Sequence, residues 1–216
     1  MNAPSHPPLR GLYAITPARP PAGTTLLECV SGYLAGGARV IQYRDKRDDR
    51  GARERTAREL LAACRARAIP LIINDDVELA ARVGADGVHL GRDDPAYDEA
   101  RQWLGPAALI GVSCYDELAR AQEAAARGAD YVAFGSFFPS ATKPSAVRAN
   151  PDLLRRARAR LDLPLVAIGG ITPDNAPALI EAGADMLAVI GGLLADGSPR
   201  GAAQAYARLF GPGHGD

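Results

Sequence analysis

Gly183-Ala184-Asp185-Met186-Leu187-Ala188-Val189-Ile190-Gly191-Gly192 carries three signals in one short stretch. It opens on a glycine able to stop a helix in the left-handed conformation. It continues as an almost unbroken apolar run, the pattern of a strand buried on both faces. It leaves through a pair of glycines. The opening turn recurs as Gly36-Gly37-Ala38-Arg39-Val40, Gly84-Ala85-Asp86-Gly87-Val88 and Gly128-Ala129-Asp130-Tyr131-Val132. Each copy enters every second member of a series of eight short β-rich runs, at 12–16, 40–44, 70–74, 87–90, 109–113, 131–134, 165–168 and 186–190. Helical patterns separate them near 24–36, 50–68, 76–83, 95–104, 116–126, 150–160, 173–182 and 201–210. Strict β-then-α alternation predicts an α/β fold with a parallel sheet. Eight units predict closure into a (β/α)8 TIM barrel. An open doubly wound sheet is the alternative, although it normally has fewer strands.

Composition bounds the function. The 216 residues carry 25 Lys+Arg and 25 Asp+Glu, a formal net charge of zero. That disfavours a global electrostatic grip on nucleic acid or an anionic membrane, while leaving room for a local basic pocket. The cysteines Cys29, Cys64 and Cys114 are scattered and odd in number. They predict neither a disulfide framework nor a zinc cluster, and so a reducing, cytoplasmic setting. The first ten residues contain three prolines and no apolar core of a signal peptide. No run reaches the roughly 18 apolar residues of a membrane span. The expected organisation is a flexible tail over 1–10, one catalytic barrel over 11–210 and a second flexible tail over 211–216.

In such barrels chemistry sits where strands end and βα loops begin. Here the polar residues gather at those ends. Gln42, Arg44 and Lys46 alternate along an extended segment and are expected to point one way, a set suited to phosphate or pyrophosphate. The neighbouring Arg47, Asp48, Asp49 and Arg50 read as a solvated charge run. Asn74, Asp75, Asp93 and Asp94 supply only oxygen donors, which suits Mg2+. Asp76 reads as a helix cap and Asp75 as a ligand. His89, a lone histidine in a strand, reads as a packed wall residue. Gly169-Gly170 and Gly191-Gly192 follow the seventh and eighth runs, where barrels commonly hold a phosphate. Without Cβ atoms, their backbone N–H groups can approach phosphate oxygens closely. Ser140, Thr142 and Lys143 lie in the long sixth loop between Pro139 and Pro144, which reads as a lid over phosphate. The residues thus imply two anions: a metal-bridged one near runs two to four, and a monophosphate near runs seven and eight.

Over about 11–210 the sequence resembles the thiamin phosphate synthase family. The resemblance rests on Leu12-Tyr13-Ala14-Ile15-Thr16, Gln42-Tyr43-Arg44-Asp45-Lys46, Ile73-Asn74-Asp75-Asp76-Val77, Gly87-Val88-His89-Leu90-Gly91 with Asp94, and Gly111-Val112-Ser113. It extends through 134–143 with its Thr142-Lys143 and through Ile168-Gly169-Gly170-Ile171. The family couples hydroxymethylpyrimidine pyrophosphate to a thiazole phosphate and releases pyrophosphate. The resemblance implies that Gln42, Arg44, Lys46, Asn74 and Lys143 hold the pyrimidine pyrophosphate and that Asp75 and Asp94 hold Mg2+. It places Ser113 beside the pyrimidine, and Ser140, Thr142, Gly170, Ile190 and Gly191 around the thiazole phosphate. Arg44, Lys46, Lys143 and Ser113 are the implied catalytic set.

Three positions depart from the family's pattern. Gly191 stands where Ser is frequent, Ser136 where Pro is frequent and Ser140 where Thr is frequent. With one Mg2+, the three cations and two carboxylates leave roughly +3, against about three negative charges on a pyrophosphate ester. The implied course is dissociative, without a general base. Related thiazole tautomerases and a non-catalytic phosphate-binding regulatory barrel are the competing readings; they would go with loss of the cationic and metal set retained here. Expected partners are the two small-molecule substrates, with homo-oligomerisation left open.

Overall fold

The computed structural model describes residues 9–92, 97–139, 148–194 and 197–211. Eight parallel strands close in sequence order into a barrel. They are β1 (Gly11–Ile15), β2 (Ala38–Tyr43), β3 (Leu71–Asn74) and β4 (Gly87–Leu90), then β5 (Leu109–Tyr115), β6 (Tyr131–Phe134), β7 (Leu165–Ile168) and β8 (Met186–Val189). The alternating helices are α1 (Leu26–Ala35), α2 (Arg50–Arg65), α3 (Val77–Val83) and α4 (Tyr97–Leu104), then α5 (Leu118–Ala126), α6 (Pro151–Arg158), α7 (Ala176–Glu181) and α8 (Pro199–Ala207). β1 pairs with both β2 and β8, so the open-sheet alternative is excluded.

The recurring turn does what its residues allow. Gly84 caps α3 in the left-handed conformation at φ 69°, which costs glycine no Cβ clash. Two residues on, the aspartate of the repeat accepts a hydrogen bond from the first or second N–H of the preceding strand. Asp86 receives Leu71 N at 2.8 Å, Asp130 receives Ile110 N at 2.7 Å and Asp185 receives Leu165 N at 2.8 Å. Those N–H groups lie at the barrel's lower edge, where a ladder partner is missing. The sequence repeat is therefore a hydrogen-bonding device that ties strands in pairs. The first copy has Ala38 in place of the aspartate.

Helix starts are equally local. Thr25 and Glu28 form a reciprocal capping box, and Asp49, Asp76, Asn150 and Ser198 cap α2, α3, α6 and α8. Apolar burial divides into two shells. Outward strand residues such as Leu12, Ile41 and Val132 pack under the helices. Inward ones, including Tyr13, Val40, Ile72, Tyr131, Val166 and Met186, fill the barrel. The alternation that separates them is the period-two geometry of a strand. Towards the C-terminal ends the filling stops, and a cavity of about 850 Å3 opens at the mouth.

Candidate active site

Each strand sends residues two apart into the barrel, so the inward series ends in the cavity wall. Gln42 and Arg44 follow Val40, Asn74 follows Ile72, Ser113 follows Gly111, and Ile190 follows Ala188. All five wall residues line the same cavity, together with Gly170 and Gly191. Gln42 is almost completely buried at 3% exposure, unlike the partly exposed Arg44 and Asn74. Thr16 Oγ1 accepts the Arg44 N–H at 2.9 Å, which fixes the backbone from which the guanidinium projects.

Lys46 departs from the expected alignment. β2 ends at Tyr43, and Lys46 lies beyond it, exposed, with its ammonium paired to the Asp75 carboxylate. It belongs to the rim rather than to the cavity wall. The segment carrying it is held by Asp45, which accepts Tyr43 Oη at 2.8 Å and Arg47 N at 2.9 Å. Burial of Asp45 opposes ionisation, but hydrogen bonds from Arg47 and Tyr43 outweigh it and bring its carboxyl down to about 2. Arg47 is thus occupied locally, as a solvated charge run implies.

Asp76 has the role the sequence suggests, and Asp75 lies at the strand end beside it. Asp76 caps α3 by accepting Leu79 N at 2.8 Å. Asp75 takes φ 65°, a conformation Asp tolerates better than most residues. Its N–H donates to His89 O at 2.9 Å, and its carboxylate projects at the rim. Among the described residues no three His, Cys, Asp or Glu side chains gather into a metal cluster. Asp75 offers a hard carboxylate oxygen already facing a cation, the Lys46 ammonium. That chemistry fits Mg2+, which uses one or two carboxylates and completes its shell with substrate oxygens and water. Asp93, Asp94, Ser140, Thr142 and Lys143 lie outside the described residues.

The opposite wall is backbone. Gly169 and Gly170 have φ 104° and 62°. A Cβ on Gly170 would stand 2.3 Å from Pro139 O, and one on Gly169 would stand 2.0 Å from Ser136 Oγ. These glycines therefore let the segment after β6 lie directly on the end of β7. Phe137 N and Phe138 N donate to Ile168 O and Gly169 O at 3.1 and 3.0 Å, closing that contact. Gly191 and Gly192 open a 3-10 turn over Gly191–Leu193. By position their N–H groups have no acceptor inside that turn. Gly191 differs from its neighbour: a Cβ there would meet nothing within 4 Å among the described residues, whereas one on Gly192 would strike Tyr206 Oη at 2.0 Å.

Sequence reasoning named Gln42 and Ser113 and read His89 as a packed wall residue, but it missed two arrangements. The first is a buried polar floor. Gln42 Nε2 donates to Tyr13 Oη at 2.8 Å, and Tyr13 Oη lies 2.8 Å from Tyr131 Oη. His89 joins Tyr131 to Ser113, with contacts of 3.2 Å from Nδ1 and 2.9 Å from Nε2. Within apolar strands the tyrosines read as core; only the inward register, counted across strands, could have marked them. The second is Arg92, which pairs with Glu117 and lies 4.8 Å over the Tyr115 ring. Both Arg92 and Glu117 line the cavity. The three cysteines are buried and free, and burial pushes the Cys64 and Cys114 thiols up to about 12, so neither is a nucleophile.

Comparison with known proteins agrees over the whole barrel. The family described as Thiamine monophosphate synthase matches residues 12–193. A thiamine-phosphate synthase of Azoarcus sp. (strain BH72) is 57% identical over 202 residues, covering 94% of this chain and 98% of that protein. That of Thiobacillus denitrificans (strain ATCC 25259 / T1) is 54% identical over 200 residues, covering 93% and 94%. The solved thiamine phosphate pyrophosphorylase of Pyrococcus furiosus superposes with a TM-score of 0.82 at 32% identity, covering 94% of this chain and 96% of that one.

Proposed function

This chain belongs to the thiamine monophosphate synthase family, and from that membership we propose how its barrel mouth works. It is a transferase of thiamine biosynthesis, a thiamine-phosphate synthase. It joins hydroxymethylpyrimidine pyrophosphate to hydroxyethylthiazole phosphate and releases pyrophosphate. One observation carries the assignment of roles: a single cavity has Gln42, Arg44, Asn74 and Ser113 on one wall and Gly170, Ile190 and Gly191 on the other. Two anionic substrates can thus meet in one enclosure.

Arg44 and Lys46 hold the pyrophosphate, Arg44 from the wall and Lys46 from the rim. Lys46 exchanges its Asp75 partner for substrate oxygens, so it is screened until substrate arrives. Asn74 and Gln42 orient the same substrate, and Ser113 lies against the pyrimidine ring. Lys143, assigned by resemblance, adds a third cation. Asp75 and Asp94 hold Mg2+, which when bound supplies positive charge to the leaving pyrophosphate. The cationic side chains do the same by preorganised electrostatics. The methylene–oxygen bond breaks ahead of attack by the thiazole nitrogen, and the electron pair leaves with pyrophosphate. No protein base is required. The N–H groups of Gly191 and Gly192, with Gly170, Ser140 and Thr142, hold the thiazole phosphate. The apolar walls Ile15, Val166 and Ile168 exclude water that would trap the pyrimidine cation.

The direct test is purified protein with both substrates, with and without magnesium, followed by thiamin phosphate and pyrophosphate release. Stoichiometric, magnesium-dependent appearance of both products is expected. Turnover of thiazole phosphate alone to a tautomer would instead favour the tautomerase reading. No helix among the described residues is long and apolar enough to cross a membrane. We assign the protein to the cytoplasm on its free, buried thiols.

A further inference from the structure

The cavity floor is a chain of five hydrogen-bonded side chains drawn from five strands: Gln42, Tyr13, Tyr131, His89 and Ser113. Its direction follows from counting protons. Gln42 Nε2 is a donor, so the Tyr13 oxygen accepts from it. Tyr13 is 1% exposed and its own proton needs an acceptor; among the described residues Tyr131 Oη supplies one at 2.8 Å. Tyr131, also 1% exposed, has then used its oxygen as acceptor and gives its proton to His89 Nδ1 at 3.2 Å. His89 must therefore carry its own proton on Nε2, from which it donates to Ser113 Oγ at 2.9 Å. Reversing the Tyr13–Tyr131 bond would leave the Tyr13 hydroxyl proton buried without an acceptor among the described residues, which is expensive.

The order ends at the cavity. Ser113 lines it, and with its oxygen accepting from His89 its hydroxyl proton is directed to a ligand. We propose that Tyr13, Tyr131 and His89 are positioning residues that lock Ser113 as a hydrogen-bond donor, so that the pyrimidine is read through an unprotonated ring nitrogen. The proposal rests on the reading that Ser113 lies beside the pyrimidine. The surrounding packing serves the same end. The His89 and Tyr131 rings stack with centroids 5.6 Å apart and planes at 17°. A Cβ on Gly111 would stand 1.9 Å from Tyr131 Cζ, so glycine makes the seat for that ring. Arg120 Nε donates to Ser113 O at 2.8 Å and its Nη2 to Gly91 O at 3.1 Å, tying the ends of β5 and β4 together. Burial pushes both phenols up, which keeps their protons in place.

The test begins on the wild-type protein without ligand. With histidine 15N labelling, the chain yields signals from only His6, His89 and His214, and loss in His89→Gln assigns the middle one. A proton held on Nε2 is expected; a proton on Nδ1, or rapid averaging between the two, overturns the proposal. Kinetics then probe its consequence. Tyr131→Phe should raise KM for the pyrimidine pyrophosphate roughly 3- to 10-fold, the effect of one neutral hydrogen bond, and leave KM for the thiazole phosphate unchanged. An equal rise in both KM values, or a lowered melting temperature with unchanged kinetics, overturns it. His89→Gln can place an amide donor near the Nε2 position and should stay closer to wild type than His89→Asn, which reaches only the Nδ1 position. The reverse order overturns the proposal. Wild-type protein that makes no thiamin phosphate would refute the assigned reaction, while the labelled histidine would still decide the direction of the chain.

Discussion

At the ends of β2 and β3 the cavity rim is made of side chains, whereas at the ends of β7 and β8 it is made of backbone. Arg44, Lys46, Asn74 and Asp75 bring charge and amide groups on flexible stems, and Lys46 and Asp75 already neutralise one another. Gly169, Gly170, Gly191 and Gly192 bring N–H groups whose directions are set by the fold. The difference suits the two anions that we propose for these walls. A pyrophosphate that departs during reaction needs charge able to follow it, and long cationic side chains provide that. A phosphate that only anchors its substrate is served by rigid N–H groups, which need little ordering when it binds.

Four experiments can break or sharpen this contrast. The largest effect should come from the metal. EDTA should abolish product formation and added Mg2+ restore it, with Asp75→Asn raising the magnesium concentration needed for half-maximal rate. Full activity in EDTA would remove the metal from the side-chain wall. Next, Arg44→Ala and Lys143→Ala should each lower kcat/KM for the pyrimidine pyrophosphate by about 10² to 10³, the cost of losing one preorganised charge donor. The melting curve of Arg44→Ala should match wild type within a degree or two, since that change opens no core cavity. If only KM for the thiazole phosphate moved, the two walls would have been assigned the wrong way round.

The backbone wall should respond through stability first. Gly170→Ala forces a Cβ to within 2.3 Å of Pro139 O at φ 62°. Overpacking with left-handed strain should cost about 2 kcal/mol, read as a fall in Tm of roughly 4–8 °C. KM for the thiazole phosphate should rise with it. An unchanged Tm would mean that the segment after β6 does not lie on β7 as described. The smallest effect is a gain. Among the described residues Gly191 has open space where a Cβ would go, and it has no positive φ, so Gly191→Ser should fold normally. Its hydroxyl should lower KM for the thiazole phosphate about 3- to 10-fold, the contribution of one hydrogen bond. A raised KM would show that the bare backbone is already the better cradle.

Much of the barrel could be read from local chemistry. The repeated glycine turn, the capping residues and the apolar runs act within a few residues of themselves, so their consequences are visible in a one-dimensional pattern. The strands 87–90, 131–134 and 165–168 have the same bounds in sequence and structure. The assignment of Asp76 to a cap was legible for the same reason. β5 was not fully legible: it runs on to Tyr115 through an irregular register after Ser113, and the polar residues there obscure its end.

The sequence alone determined the period of the fold, the number of its units and the chemistry available at each strand end, because those depend on neighbours in the chain. Tertiary structure decided which of those groups meet. Lys46 and Asp75 are 29 residues apart, and Tyr13 and Tyr131 are 118 apart. Closing β1 onto β8 turns every second residue of each strand towards one axis, and only then do Gln42, Tyr13, Tyr131, His89 and Ser113 fall within hydrogen-bond reach. A tyrosine in an apolar strand has the same local signature whether its hydroxyl faces helix or axis. The register of a closed sheet distinguishes the two, and that is a property of all eight strands together.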